Sequence, residues 1–156
     1  MTYLPPIRHP IRTIGRRRFD FDRQIVVMGI VNRTPDSFFD EGATFGLDRA
    51  VAAALAAAEA GAGWIDIGGV PFSPDSAEVS EAEEIDRVVP VVAAVAAGSD
   101  VVISVDTFRP EVAARSIEAG AAVINDTTGL HDHDLARVVG GSACTSGLVA
   151  SLTGMK

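Results

Sequence analysis

The chain has little that could support a disulfide, a zinc site or a membrane span. Cys144 is the only cysteine among 156 residues, so no internal disulfide can form, and we interpret it as a small buried apolar residue. No stretch approaches the roughly 20 uninterrupted apolar residues that a bilayer requires. Because the helical candidates are rich in alanine with acids interspersed, we expect a cytoplasmic protein without a membrane partner.

Positive charge is scarce outside one short arm. The chain as a whole carries −8, and the five charged residues before Asp20 are all arginines, so an arm of +5 leaves −13 on the rest. An acidic body argues against nucleic acid as a partner, because phosphate recognition needs a basic face. We do not expect "GRRRFDF" to be an export signal, since Asp20, Asp22 and Arg23 stand where an apolar stretch should follow.

Short apolar runs without polar alternation predict strands that are covered on both faces, as parallel strands are. Helical segments lie between them, and a parallel partner requires such a crossover, so the order predicts an α/β fold with a parallel sheet. The runs are residues 25–31, 64–69, 101–106, 122–126 and, more weakly, 147–151.

The helical segments carry recognisable ends. Gly61 and Gly120 are typical of left-handed caps after residues 48–60 and 110–119. Ser80 and Glu83 have the spacing of a capping box at the start of a helix that ends at residue 98. Pro90 lies inside this last segment, and it predicts a kink or a break there.

Four of the predicted strands end in a carboxylate or a carboxamide: Asn32, Asp66, Asp106 and Asn125. Such a group costs several kcal/mol to bury without a partner. The carboxyl ends of parallel strands gather at one rim, where ligands bind in both α/β barrels and open sheets. We therefore expect these four side chains to share a ligand pocket.

The donor and acceptor types limit what this pocket can bind. Asp106 only accepts hydrogen bonds and Asn125 both accepts and donates, which suits a flat heterocycle such as guanine or pterin. Arg33 and Arg109 are the only basic side chains close to the strand ends, and we interpret Arg109 as a surface residue at a helix start. No G-x-G-x-x-G or phosphate-loop motif follows a strand. We interpret the histidines of "LHDHD" as solvated rather than metal-ligating.

Several motifs together resemble dihydropteroate synthase, a folate-pathway enzyme among the pterin-binding TIM barrels. They are "NRTPDSFFDEG", "IDIGG", "ISVDT" and "INDTTG", and "GRRRFDFDR" resembles the hairpin before the first barrel strand. The resemblance runs from about residue 15 to residue 153. It implies a partial (β/α)₈ barrel of the first four to five βα units over residues 15–156, after an arm of residues 1–14.

The resemblance implies condensation of 6-hydroxymethyl-7,8-dihydropterin pyrophosphate with p-aminobenzoate and release of pyrophosphate. Asn32 would then ligate Mg²⁺ beside the pyrophosphate, and Asp36 would act in catalysis from the first loop. Asp106 and Asn125 would bind the pterin. From their places at the strand ends, Asp66 and Arg33 are predicted as further substrate-binding residues.

Two departures from the family stand out. The family's second loop reads G-G-E-S-T-R-P-G, whereas this chain has Val70, Phe72 and Ser73 in place of the acid, the threonine and the arginine. A (β/α)₈ barrel also needs about 250 residues, and the family's later aspartate, lysine and arginine–histidine pair have no counterpart here. A partial barrel leaves the edges of its sheet open, and open edges pair with other chains. We therefore expect a homodimer or another association through these edges.

Three alternatives remain open from the sequence. The chain could be a catalytically inactive pterin-binding paralogue or truncated copy. It could be the methyltetrahydrofolate-binding domain of a corrinoid methyltransferase, although the intact T-P-D-S-F loop speaks against this. It could also be a damaged copy that does not fold stably.

Overall fold

A computed structural model describes residues 7–34, 43–71, 78–129 and 131–142. The predicted α/β architecture with a parallel sheet is confirmed. Cys144 and the weak strand at 147–151 lie outside the described residues. In chain order the elements are β1 (Ile11–Ile14), β2 (Arg17–Asp20), β3 (Met28–Asn32), α1 (Ala43–Glu59), β4 (Trp64–Gly68), α2 (Glu81–Gly98), β5 (Val102–Asp106), α3 (Pro110–Ala119), β6 (Val123–Asn125) and α4 (His133–Gly141).

The sheet has four parallel strands in the order β3-β4-β5-β6, so each strand pairs with its neighbour along the chain. One face packs against the helices, because alternate residues of a strand point the same way. This helix-facing set is apolar throughout and belongs to the main core together with residues of all four helices. Its members are Val31, Ile65, Ile67, Ile103, Val105 and Ile124.

The opposite face of the sheet changes from apolar to polar along the strands. Its first level is apolar and includes Trp64 paired with Val102. The next level brings Asp66 opposite Ser104, and the last level brings Asp106 opposite Asn125. Polar side chains therefore collect at the carboxyl end of the sheet, and apolar ones at the amino end.

The antiparallel hairpin of β1 and β2 covers the apolar end of this second face. Ile14 and Phe19 are only 6% and 3% exposed, and they pack with Val102 and Val123. The Phe19 ring meets the Trp64 ring edge-on at a centroid distance of 6.2 Å. The hairpin spans the predicted boundary between residues 1–14 and 15–156, which stays a prediction.

The prediction of a first strand covered on both faces is wrong. β3 begins at Met28 rather than at Ile25, which is 96% exposed, and Ile30 within the strand is 67% exposed. In the described part of the chain β3 pairs with β4 alone, so its other edge is unpaired there, and the exposure of Met28 and Ile30 shows that its second face is largely uncovered.

The predicted helix ends are largely confirmed. Of the kink or break predicted at Pro90, the break is wrong, and the kink stays a prediction. Ser80 is the N-cap of α2, and its Oγ accepts a hydrogen bond from the Glu83 backbone N–H at 3.3 Å. Gly120 ends α3 in the left-handed region with φ of 119°. α2 continues through Pro90, because the buried side chains on both sides of the proline pack on the same core. Among the described helices, none is long and apolar enough to cross a membrane.

We expect Phe19→Ala to lower the free energy of unfolding by about 3–5 kcal/mol, the usual cost of removing a buried phenyl group. Ile11→Ala in the same hairpin is the matched control, since Ile11 is 49% exposed, and it should cost about 1 kcal/mol or less. Urea denaturation followed by circular dichroism measures both. Equal losses in the two variants would contradict a packing role for the hairpin.

Candidate functional site

Three of the predicted site residues lie at one rim of the sheet. Asn32 of β3 is in register with Gly68 of β4, Gly68 with Asp106 of β5, and Asp106 with Asn125 of β6. A Cβ atom on Gly68 would lie 3.0 Å from the Asn32 Oδ1 and 3.9 Å from the Asp106 Cβ. The glycine therefore leaves open the space between the Asn32 and Asp106 side chains. The predicted convergence of Asn32, Asp106 and Asn125 is what the strand register produces.

Asp66 lies one level below this rim and is joined to it by a hydrogen bond. The Asn125 Nδ2 donates to the Asp66 Oδ2 at 3.1 Å, and Asp66 is only 5% exposed. Within the described residues the second Asp66 oxygen, the Asn125 Oδ1 and the Ser104 Oγ are buried without a hydrogen-bond partner. Buried polar atoms are nearly always paired, so these three call for a ligand or ordered water.

The rim is acidic enough to change the protonation of one of its carboxyl groups. Burial and, in decreasing order of effect, the nearby charges of Asp66, Glu84 and Asp126 together raise the pKa of Asp106 to about 6. At neutral pH the group is a carboxylate held in an unfavourable field. A ligand that donates hydrogen bonds to it, or that carries positive charge, would relieve this cost.

Asp126 follows β6 and holds the next turn. Its Oδ1 accepts from the Thr128 backbone N–H at 2.8 Å, and its Oδ2 accepts from the Thr128 hydroxyl at 3.0 Å. The side chain is fully buried, so its charge reaches the rim although its oxygens are engaged by this turn.

The interpretation of Arg109 as a surface residue is wrong. It is the N-cap of α3, as expected for a helix start, but its Nη1 lies 2.6 Å from the Glu84 Oε2. Its Nη2 donates to the Val79 carbonyl at 2.6 Å, and Glu84 is only 1% exposed. One signal in the sequence could have predicted this pair. Glu84 lies on the same helical face as Val88, Val91 and Val95, so it is expected to be buried. A buried carboxylate needs a cation as its partner.

Arg33 follows Asn32, and its side chain extends to α2. Its Nη1 donates to the Asp86 and Arg87 carbonyls at 2.8 and 2.9 Å. Burial lowers the pKa of Arg33, and the neighbouring charge of Arg87 lowers it further. The substrate contact assigned to Arg33 stays a prediction.

The remaining sequence predictions fall into two groups. Asp36 and the substituted positions Phe72 and Ser73 lie outside the described residues. His131 and His133 are exposed, and the described part of the chain has no cluster of three or more histidine, cysteine or acidic side chains suited to a metal ion.

A cavity of about 370 Å³ lies at the opposite end of the sheet, beside the turn of the hairpin. Its lining includes Gly15, Arg16 and Asp100, and the only charged pair there joins two largely exposed side chains at 3.4 Å. None of the predicted site residues that the structure describes lines it. The unpartnered buried atoms at the carboxyl rim make that rim the stronger candidate for the ligand site.

Comparison with known proteins defines the class to which this fold and rim belong. Residues 28–151 match the family of pterin binding enzymes, so the chain belongs to that family. The four-stranded parallel sheet and the helices packed on it form part of the TIM barrel of this family. The dihydropteroate synthase of Xanthomonas albilineans, solved with 4-aminobenzoic acid, is similar over 88% of this chain and 51% of its own, with 39% identity and a TM-score of 0.79.

Comparison of sequences also finds dihydropteroate synthases. The enzyme of Clostridium beijerinckii is 43% identical over 126 residues, which are 80% of this chain and 47% of the relative. The "Inactive dihydropteroate synthase 2" of Mycobacterium leprae is 47% identical over 137 residues, or 85% and 45% of the two chains. The chain thus spans about half the length of the relatives it matches.

The raised pKa of Asp106 predicts a specific pH dependence of stability. Between about pH 4 and 6 the native state binds more protons than the unfolded state, so the free energy of unfolding should fall as pH rises through that window. We expect Asp106→Asn to lack this contribution of about 1 kcal/mol, reduced by solvent screening of a partly exposed group. Urea titrations from pH 4 to 7.5 compare the two proteins, and parallel profiles would contradict the assignment.

The buried ion pair predicts a large effect at Arg109. Arg109→Met leaves the Glu84 carboxylate buried without its cation, which should cost about 3–5 kcal/mol of unfolding free energy. Arg115→Met is the control, because Arg115 is 56% exposed in its pairs with Glu111 and Glu118 and should lose less than about 1 kcal/mol. Thermal denaturation measures the loss of unfolding free energy in both variants. Similar losses would contradict a special role for the Arg109–Glu84 pair.

Proposed function

We propose that the chain supplies the pterin- and metal-binding part of a dihydropteroate synthase-type transferase. The reaction condenses 6-hydroxymethyl-7,8-dihydropterin pyrophosphate with p-aminobenzoate and releases pyrophosphate. The observation that carries the proposal is the rim of β4 to β6, where Asp66 and Asn125 keep buried acceptors without a partner beside Asp106. The family match and the similarity to an enzyme solved with 4-aminobenzoic acid support the substrate class.

The orientation of the Asn125 amide follows from its partner. Asp66 as a carboxylate only accepts hydrogen bonds, so the Nδ2 of Asn125 must face it, and the Oδ1 is left for another donor. Asp106 provides a second acceptor on the adjacent strand. Two acceptors side by side match the neighbouring N–H groups of a pterin ring, which explains why carboxylate and carboxamide are placed together here.

The described residues fit a Mg²⁺ ion bound mainly through the substrate. Mg²⁺ commonly takes one or two protein oxygens and completes its shell with phosphate oxygens and water. Asn32 offers one such oxygen, its Oδ1, on the side left open by Gly68. When bound, the ion would neutralise the charge of the pyrophosphate, while Asn32 would orient it toward the rim.

The acidic rim would favour the departure of pyrophosphate. Positive charge that develops on the pterin as the C–O bond breaks would lie near the Asp106 and Asp66 carboxylates, which stabilise it electrostatically. The amine nitrogen of p-aminobenzoate would then form the new C–N bond and lose a proton. Asp36 remains the residue proposed for catalysis from the first loop.

A second candidate function is pterin binding without turnover. The chain has Val70 where the family has an acid, and Phe72 and Ser73 where it has threonine and arginine. A phenyl group cannot donate to an anion, and the loss of a guanidinium removes a bidentate clamp. One relative at 47% identity is itself named inactive.

A cytoplasmic location and association through the open sheet edges also belong to the proposal.

Isothermal titration tests the binding function shared by both candidates. With Mg²⁺ present, we expect 6-hydroxymethyl-7,8-dihydropterin pyrophosphate to bind wild type, and Asn125→Ala to weaken binding at least ten-fold because the pterin loses a hydrogen bond in a buried site. Arg115→Gln should bind like wild type. No heat from folded wild type at millimolar ligand would exclude the proposal.

Formation of dihydropteroate then separates the two candidates. Incubation of the same protein with both substrates and Mg²⁺, followed by chromatography, should reveal product if the chain is an active transferase. Pterin binding without product would favour the binding paralogue.

A further inference from the structure

Helix α2 contains a proline whose missing N–H leaves a backbone acceptor open. Pro90 cannot donate to the carbonyl of residue 86, and its ring also pushes against that carbonyl. In an uninterrupted helix this Asp86 carbonyl would be paired with the N–H four residues later. α2 nevertheless continues as one helix to Gly98.

The Arg33 side chain occupies this open acceptor. One nitrogen, Nη1, uses its hydrogens on two successive carbonyls, those of Asp86 at 2.8 Å and Arg87 at 2.9 Å. Hydrogen bonds from a charged donor are stronger than neutral ones. The guanidinium therefore replaces the proline's missing donor from a part of the chain more than 50 residues away.

The same turn of α2 also holds the neighbouring strand end. Arg87 donates from its Nη1 to the Gly69 carbonyl at 2.8 Å, and a Cβ atom on Gly69 would come within 2.8 Å of a Val88 methyl group. The Arg33 backbone N–H in turn donates to the Gly68 carbonyl at 2.8 Å. The ends of β3 and β4 are thus tied both to each other and to one turn of the helix.

We propose that Arg33 is a positioning residue, which docks on the carbonyl freed by Pro90 and thereby fixes the Asn32 carboxamide at the rim. This role extends the proposed function, on which its consequence for the ligand rests. Asn32 precedes Arg33 directly, and its Oδ1 lies over Gly68, so a displacement of the β3 end moves the predicted metal ligand. Arg33 itself need not touch the substrate.

The contact is tested first without any ligand. Arg33→Gln should raise the unfolding equilibrium constant about ten-fold in the Pro90 protein, and much less after Pro90→Ala, which restores an N–H for the Asp86 carbonyl. Hydrogen exchange at the backbone amide of residue 33, corrected for intrinsic rates, should be at least ten-fold faster in Arg33→Gln. Arg33→Lys should recover most of the protection, because an ammonium also donates to two carbonyls.

Binding experiments then test the effect on Asn32. With Mg²⁺ present, Arg33→Gln should weaken 6-hydroxymethyl-7,8-dihydropterin pyrophosphate about ten-fold and leave the same pterin without pyrophosphate unchanged. The exposed Arg115→Gln is the control and should change neither affinity. Unchanged affinity for the pyrophosphate compound in Arg33→Gln would overturn the positioning role even if the stability effects were coupled.

The two proposals fail in different ways. If wild type binds neither pterin compound, the proposed function is lost, and the stability cycle with the exchange rates still decides whether Arg33 holds the β3 end. Additive effects of the two substitutions together with unchanged protection of residue 33 would overturn the inference, whatever the ligand results.

Discussion

The parallel register of β3 to β6 is the constraint on which the rest of the site depends. It aligns Asn32, Gly68, Asp106 and Asn125 across four neighbouring strands and leaves the second position without a side chain. A shift by one residue would turn every one of these groups toward the helices and would bury them among valine and isoleucine. Burial of the apolar face therefore also fixes the polar rim, because only one register places the apolar side chains toward the helices and the polar side chains at the rim.

The rim gathers more negative charge than its own residues can neutralise, and the surrounding structure limits the resulting cost. Asp66 shares a hydrogen bond with Asn125, Asp126 is enclosed by its own turn, and Glu84 is paired with Arg109. The Asp106 carboxylate remains in an electrostatically unfavourable environment, and its pKa is raised as a result. Strain of this kind is typical of sites where a ligand supplies the missing donors.

Helix α2 connects the core to the site through two arginines. Its apolar face packs on the sheet, whereas Arg87 on the helix and Arg33 beside β3 bond backbone carbonyls across the gap. Because Pro90 has no N–H, the Asp86 carbonyl is available as a defined acceptor for the Arg33 side chain. The hairpin performs a simpler task at the opposite end, where it shields the apolar level of the sheet from water.

The sequence by itself determined the α/β order, most helix ends and the four polar strand ends, because apolar period and capping residues are local properties of the chain. It could not show that β3 is an edge strand among the described strands, that Arg109 pairs with the buried Glu84, or that Arg33 donates to the helical turn before Pro90. The two arginine contacts join residues 25 or more positions apart, and an arginine is taken for a surface residue until its partner is known. Only tertiary packing decides which charges lose contact with water and must find a partner within the protein.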